Sequence, residues 1–569
     1  MRKIIECIPN FSEGRNPARI KEIVDAIESV PGIKLLNVSS GVSTNRTVVT
    51  FAGDPESVVE AAFRGIEKAA MIIDMRNHIG VHPRFGAIDV CPLVPVSDVT
   101  MEETVEYARK LAERVGTELS IPVYCYEHAA FTEDRQSLAN CRIGGYEGLQ
   151  KRLGTDFDKP DFGPASWSVS VAKTGAVTIG ARNFLLAYNV NLNTTSTQLA
   201  QSIALDVRES GRIKKDPETG NIVLRADGKP EKIPGTLPKV RAIGWYIEEF
   251  GLSQVSMNLT DLSVTPLHIA FEEVSKKAAE KGLRVTGSEL IGLVPLNSML
   301  EAGRYFLHKQ KRSTGIADDE IIRIAVKSLG LDDLHPFDPN TKIIEYLLTE
   351  DTEGRLADRP VSKFVQLTAN DTPGPGGGAV SAAVAAMGIA LAGLAANNSA
   401  HKKGWQHKWE EFSDWAEKAK YFQQTLLRLA DEDSSAFIQL YNALNMPERD
   451  EQMTLNKKKV LAEASKAAIN IPFQIMQNAY SCFDVFNQMA QSANPNTISD
   501  TGVGACCAKA AVEGAFLTIK INALNCSDDT FMQDILQKAE QISELADEKF
   551  ESIMQLTERK IQGLKKKSE

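Results

Sequence analysis

The chain has 569 residues, 43% apolar and 24% charged, an ordinary soluble globular composition too long for one core, so about two to four domains are expected. A net charge of −10 argues against a general nucleic-acid binder, because phosphate contacts need a basic surface. The eight cysteines, Cys7, Cys91, Cys125, Cys141, Cys482, Cys506, Cys507 and Cys526, form no CxxC pair, and MRKIIECIPN has no apolar signal segment, so a reducing cytoplasm is expected.

From Met1 the pattern reads strand, loop, helix. IIECIP suits a strand, NFSEGRN a polar loop, and PARIKEIVDAIESV has helical spacing with Pro17 near its start. IKLLNVSS, a turn at Gly41 and the strand RTVVTFAG follow. The spacing then predicts a helix over Ser57–Met71, a strand over Ile88–Val96, a helix over Met101–Val115 and a strand over Val123–Tyr126. Such alternation predicts an α/β layer domain over residues 1–180.

Within it, Arg76–Pro95 reads RNHIGVHPRFGAIDVCPLVP and holds His78 and His82, four apart, flanked by Arg76 and Arg84. On a helix that spacing would aim both imidazoles at one metal ion. Gly80 and Pro83 break the helix, and no glutamate sits as in a zinc-protease motif, so no metal is expected. His82-Pro83-Arg84 then lies extended, in a loop leading into a strand, where scaffolds present chemistry. His82 has two readings, a surface loop histidine or a proton-handling one.

A second run of this order follows. Asn183–Asn191, a Thr/Ser loop and the helix Gln198–Glu209 echo the N-terminal strand, loop and helix, predicting a second α/β subdomain over 181–339. Arg212–Pro238 reads as a surface excursion, Val240–Trp245 and Val255–Leu259 as strands, and Pro266–Lys281 as a helix. Asn340–Pro360 is charged and loop-rich, a linker candidate.

From 361 to 569 strand signals vanish. Helical patterns run Lys363–Thr368, Ala379–Asn397, Trp405–Asn445, Glu451–Gln491, Gly502–Leu524 and Thr530–Lys566, predicting a helical bundle. Gly376–Ala400 is uncharged and long enough to cross a bilayer, but its Ala and Gly are weakly apolar, so a buried bundle helix and no membrane are expected. In LLRLADEDSSAFIQLYNAL, Asp433 falls on the apolar stripe of Leu426, Ala430, Phe437, Leu440 and Leu444; Asp431 falls off it. A carboxyl on the buried side keeps its proton to higher pH, which suits a general acid; a core Asp bonded to backbone or lysine is the other reading. PGPGGG, with Gly376, Gly377 and Gly378, opens the Ala-rich helix and lets an anion or a backbone approach closely, or simply makes a tight start.

IIECIPNFSEG (4–14), TNRTVVTFAG (44–53), HPRFGAIDVCPLVP (82–95), PDFGP (160–164), IGWYIEE (243–249), GLVPL (292–296) and PGGGAVSAAVAAMG (375–388) together resemble the formimidoyltransferase-cyclodeaminase family, bifunctional folate enzymes of histidine breakdown. The resemblance covers nearly the whole chain. It implies a multidomain fold, two α/β sandwich subdomains followed by an all-α helical bundle. The front half would move a formimidoyl group from N-formimidoyl-L-glutamate to N5 of tetrahydrofolate. The rear half would close the ring through N10 and expel ammonia, giving 5,10-methenyltetrahydrofolate.

By the same resemblance the transferase histidine falls on His82 and the cyclodeaminase acid on Asp433. The folate segment falls on Gly163, Pro164, Ala165, Ser166, Trp167, Ser168, Val169, Ser170, Val171 and Ala172. Arg84 could clamp a substrate carboxylate or form a surface ion pair; Trp167 could stack on the pterin or simply pack. Gly376, Gly377, Gly378 and Ser39 are further substrate-binding candidates. Tetrahydrofolate is implied as a polyglutamated substrate, with Lys402 and Lys403 as candidate tail contacts or a solvated face. No metal or nucleic acid is expected, and a homo-oligomer, a dimer or a ring of dimers, is implied.

The chain departs from the animal-type pattern where an Asp-x-Asp pair is replaced by Asn37 and Ser39. An acidic partner for His82 is then missing or comes from elsewhere. Two alternatives follow: a transferase preferring N-formyl-glutamate, and a folate-binding scaffold with one inactive site.

Overall fold

The computed structural model describes residues 3–42, 44–80, 84–153, 155, 158–348, 355–370, 374–447, 451–524 and 526–568, the last four by backbone alone. The chain divides into two compact units. One holds residues 1–302 and 326–350; the other holds 303–325 and 351–569.

The first unit begins with a seven-stranded sheet made of β1 (Ile4–Cys7), β2 (Asn10–Phe11), β3 (Ile33–Gly41), β4 (Arg46–Gly53), β5 (Ile88–Ser97), β6 (Val123–Glu127) and β7 (Val177–Ala181). β4 pairs with β3 on one side and with β1 and β2 on the other. β1 and β2 pair in turn with β5, all antiparallel. β5, β7 and β6 are parallel neighbours. Alternate strand residues Ile5, Cys7, Val49, Phe51, Cys91, Leu93, Cys125 and Ile179 face one way and share a core with Ile23, Ile27, Val58, Ile66, Leu111 and Val115 of three helices. Those helices start where their caps dictate. The Asn16 side chain accepts from the Ala18 and Arg19 amides ahead of Pro17–Glu28. Asp54 caps Pro55–Ile72, and Thr100 with Glu103 closes a capping box on Met101–Glu118.

The opposite face of the sheet carries a smaller core, Phe85, Val90, Tyr124, Tyr126, Cys141, Leu149 and Val171. Its cover comes from 133–153 and 158–174. Short helices form there over Leu138–Cys141, Gly145–Leu153 and Val169–Thr174.

The first unit continues with β8 (Leu186–Leu192), a hairpin of β9 (Arg212–Ile213) and β10 (Lys232–Ile233), then β11 (Val240–Ile247), β12 (Leu252–Leu259) and β13 (Val285–Ile291). The last three and β8 form an antiparallel sheet in the order β11-β12-β8-β13. The helices Thr197–Val207 and Leu267–Glu280 accompany it. The hairpin lies in the Arg212–Pro238 stretch read as a surface excursion, and Ile213 and Ile233 on it are exposed.

The second unit is helical. Gly377–Ala400, Trp409–Leu444, Glu451–Ser492, Ile498–Ala523 and Asp529–Ser568 pack around one core of alanines and larger apolar residues, including Ala382, Ile389, Phe412, Leu426, Met476, Phe483 and Val512. Among the described residues two helices here are apolar and long enough to cross a membrane, Gly377–Ala400 and Pro495–Ala523; half or more of each apolar window is buried in the bundle.

Two sequence expectations differ from the structure. Gly303–Ala325, read as part of the second α/β subdomain, groups with the helical unit. Thr314 hydrogen-bonds Ser413, Gly315 accepts from Asn397, and Lys420 donates to Asp318. Residues 340–348, read as linker, form the short helices Pro339–Lys342 and Ile344–Leu348. Ile344 is fully buried and packs with Ile4 and Ala52. A charged average had hidden those apolar anchors.

Candidate active sites

In the first unit, Val81, His82 and Pro83 lie outside the described residues, so the geometry is that of their flanks. On the near side, Asn45 takes a left-handed backbone, φ 49°, which asparagine tolerates better than most residues. Its Oδ1 accepts the Gly14 amide at 3.0 Å, and its Nδ2 donates to Ile79 O at 3.1 Å. Its carbonyl meets His78 Nε2 at 2.9 Å.

On the far side, Arg84 Nε donates to His78 Nδ1 at 3.3 Å. That bond makes Nδ1 the acceptor, so Nε2 carries the proton toward Asn45. Burial lowers the His78 pKa, outweighing the Asn45 bond, and the ring is neutral near pH 7. Arg84 also pairs with Glu147 at 2.5 Å.

One residue on, the Phe85 amide donates to Asp89 Oδ1 at 3.0 Å. Asp89 is fully buried and takes two guanidiniums on Oδ2, those of Arg46 and Arg142, the latter at 2.6 Å. Arg142 in turn lines a cavity of about 640 Å³, together with Asn10, Pro92, Tyr126, Arg182 and Arg241 among others. One carboxylate therefore ties the segment behind His82 to the wall of this polar cavity.

The predicted folate segment does not line that cavity. Gly163 sits at φ +83°, and a Cβ there would meet Ile121 O at 2.2 Å, so its glycine is a packing requirement. Pro164 is half-buried; Ala165, Ser166, Ser168, Val169 and Ser170 are exposed; Ala172 is half-buried and Val171 buried. Ser168 caps the helix that follows. Trp167 packs on Tyr146 with ring centroids 6.1 Å apart, and Arg84 lies 6.0 Å from the Tyr146 ring. Trp167 and Arg84 are thus brought together through Tyr146.

Ser39 and Asn37 are exposed on β3. Ser39 pairs with Val48, which pairs with Asn10, so it shares a sheet face with that cavity-lining residue, about 10 Å away across two strand spacings. Asp89, Arg142, Asn45 and Glu147 were not singled out in the sequence. Among the described residues no group of three or more His, Cys, Asp or Glu could hold a metal ion.

In the second unit, Asp433 lies on the buried stripe of Trp409–Leu444 and is 7% exposed. Phe437 and Leu444, expected beside it in the core, are about 40% exposed instead. Phe437 lines a cavity of about 520 Å³ with Asp433, Gly376, Gly377, Gly378, Thr518 and Asn522. Burial pushes the Asp433 carboxyl up to about 6, against a hydrogen bond from the Ala379 backbone that favours the anion. Asp431, off the stripe, accepts the Leu356 amide at 2.6 Å and so anchors an incoming segment. Lys402 reaches Asn494 Oδ1 at 2.5 Å; Lys403 is exposed.

The glycine run and the aspartate meet at Gly378. A Cβ there would lie 2.3 Å from Asp433 Oδ1 and 2.5 Å from its Oδ2 and Cγ, distances no real contact shows. Gly378→Ala is therefore expected to displace the carboxyl and cut the ring closure that the resemblance implies about 100-fold, as a misplacement near 1 Å can. Transfer measured on the same protein should stay unchanged. Equal ring-closing rates in both proteins would show that the carboxyl position does not matter.

The chain matches the family models described as "Formiminotransferase domain, N-terminal subdomain" over residues 4–182, "Formiminotransferase domain" over 187–349 and "Formiminotransferase-cyclodeaminase" over 360–541. It is 40% identical to the formimidoyltransferase-cyclodeaminase of Sus scrofa over 539 residues, 95% of this chain and 96% of that one. It is 39% identical to that of Rattus norvegicus over 534 residues, 94% and 95% of the two chains. A glutamate formimidoyltransferase of Thermoplasma acidophilum is 43% identical over 306 residues, 53% of this chain and 92% of its own.

Proposed function

The chain belongs to the formimidoyltransferase-cyclodeaminase family, and from that premise we propose which of its groups handle the protons of each half-reaction. The protein is bifunctional. Its front half transfers the formimidoyl group of N-formimidoyl-L-glutamate to N5 of tetrahydrofolate, and its rear half closes the ring with loss of ammonia.

In the transfer, N5 attacks the amidine carbon, the C–N bond to glutamate breaks, and the proton shed by N5 ends on the glutamate nitrogen. His82 carries that proton in both directions. Arg84, held by Glu147 and His78, fixes the far end of the loop, and Glu147 and Asp89 supply the acidic groups that Asn37 and Ser39 do not. The folate seat is read as Gly163–Ala172 with Trp167 as its aromatic face. Arg142, Arg182, Lys239 and Arg241 in the neighbouring cavity suit the carboxylates of a polyglutamate tail.

In ring closure, N10 attacks the same carbon and the amino group leaves once protonated. The observation that carries this reading is Asp433: a carboxyl kept protonated to about pH 6, in a cavity, against a helix start that only glycine can line. A homo-oligomer is proposed too, supported by apolar residues left exposed on the bundle, among them Met387, Leu394, Leu517 and Leu524. A cytoplasmic location fits the eight free cysteines.

The test mixes N-formimidoyl-glutamate with tetrahydrofolate and follows methenyl-folate absorbance, glutamate and ammonia together. Equal amounts of all three are expected, with any lag in absorbance reporting the free intermediate. Glutamate without ammonia or absorbance would leave only the transferase; neither product would leave a scaffold.

A further inference from the structure

Pro472 lies inside the Glu451–Ser492 helix. Proline has no N–H, so the carbonyl four residues earlier, Ala468 O, loses its helical donor. A side chain from another helix fills the gap. Asn522 Nδ2 donates to Ala468 O at 2.7 Å. The amide cannot turn round, because its own oxygen would then face a carbonyl and neither would have a proton.

Asn522 is 6% exposed and lines the 520 Å³ cavity with Asp433 and Ala468. No donor among the described residues is bonded to its Oδ1. That oxygen is also not among the polar atoms sealed away without a partner, so what remains accessible of it opens on the cavity. A fixed, desolvated acceptor thus stands in the same cavity as the Asp433 acid.

We propose that Asn522 is the specificity-determining residue of ring closure, its Oδ1 accepting an N–H of the formimidoyl nitrogen and so selecting an amidine over a formyl group. This rests on the reading of Asp433 as the cyclodeaminase acid. In the step itself the N10–C bond forms and N10 sheds its proton. Asp433 protonates the amino group, the C–N bond breaks, and ammonia leaves. The carboxylate regains the proton that N10 lost; with the substrate entering as the amidinium, whose positive charge passes to the methenyl product, atoms and charge balance. The leaving nitrogen gains an N–H as it departs, which strengthens its bond to Oδ1 toward the transition state. A 5-formyl group would present an oxygen to the same acceptor and leave both lone pairs unmatched.

The experiment uses the full chain with Asn522→Leu, and with the pair Pro472→Ala/Asn522→Leu, in which residue 472 regains an N–H for Ala468. Ring closure is measured on supplied 5-formimidoyltetrahydrofolate, and 5-formyltetrahydrofolate is titrated as a competitive inhibitor. In the paired variant kcat/KM for the amidine should fall about tenfold to a hundredfold, while the formyl compound binds as well as before or better. A purely structural role would weaken both together, and that outcome, or no change in either, overturns the proposal. Asp433→Asn separates the two readings. If it keeps ring closure, the Asp433 assignment fails. If it abolishes ring closure while the formyl-to-formimidoyl ratio ignores Asn522, only the Asn522 proposal fails.

Discussion

Asp433→Asn is expected to slow ring closure by about 10²–10⁴-fold and, at pH 7.5, to make the helical unit more stable than in the parent protein. Both effects come from one cause. The carboxyl lies on the buried stripe of its helix with Gly378 close against it, and burial raises its pKa from 3.8 to about 6. The folded state therefore holds the proton more tightly than the unfolded chain. Below about pH 4 both states are protonated and the group is neutral in the balance. Between about pH 4 and 6 the unfolded chain releases its proton first, so stability declines as pH rises. Above about pH 6 the loss is complete, about 3 kcal/mol for this separation of values. Asparagine keeps the shape and can still accept the Ala379 amide, but carries no charge to desolvate. Chemical unfolding of the two proteins at pH 4 and pH 7.5 checks this. A gain confined to the higher pH is expected, and no gain there would mean the carboxylate is already well solvated.

The same residue shows how far a sequence can be read. Asp433 was legible because a carboxyl on an apolar stripe contradicts the period around it. The glycines at 376–378 were legible as a run, but not as a partner of Asp433, because 55 positions separate Gly378 from it. Asn522 left no trace. Its role depends on Pro472 removing a donor in another helix, and neither residue is odd alone. In the front half the strands and helices followed their periods. Asp89 did not stand out, since an acidic residue on a strand is ordinary until Arg46 and Arg142, 43 and 53 positions away, converge on it. Gly163 carries two demands at once. The resemblance makes it part of a binding segment, and its backbone and the Ile121 carbonyl independently require glycine.

His82→Ala is expected to lower formimidoyl transfer by about 10²–10⁴-fold and to leave ring closure of supplied 5-formimidoyltetrahydrofolate intact. The argument runs through the other histidine of the pair. His78 receives Arg84 on Nδ1 and gives its proton to the Asn45 carbonyl from Nε2, and burial keeps it neutral. Taking up a substrate proton at Nδ1 would set a cation against the Arg84 guanidinium, so His78 serves as a brace and not as a base. The brace has two anchors: Asn45 holds the chain at Ile79, and Asp89 holds it at Phe85. Both anchors belong to the flanks of His82, which is the histidine left to take a proton from one nitrogen and deliver it to another. His78→Ala should then raise KM or lower kcat about tenfold while keeping the pH profile of transfer. Only His82→Ala should erase the ionisation near neutrality from that profile. If transfer survives His82→Ala, or if His78→Ala removes the same ionisation, the proton is carried elsewhere.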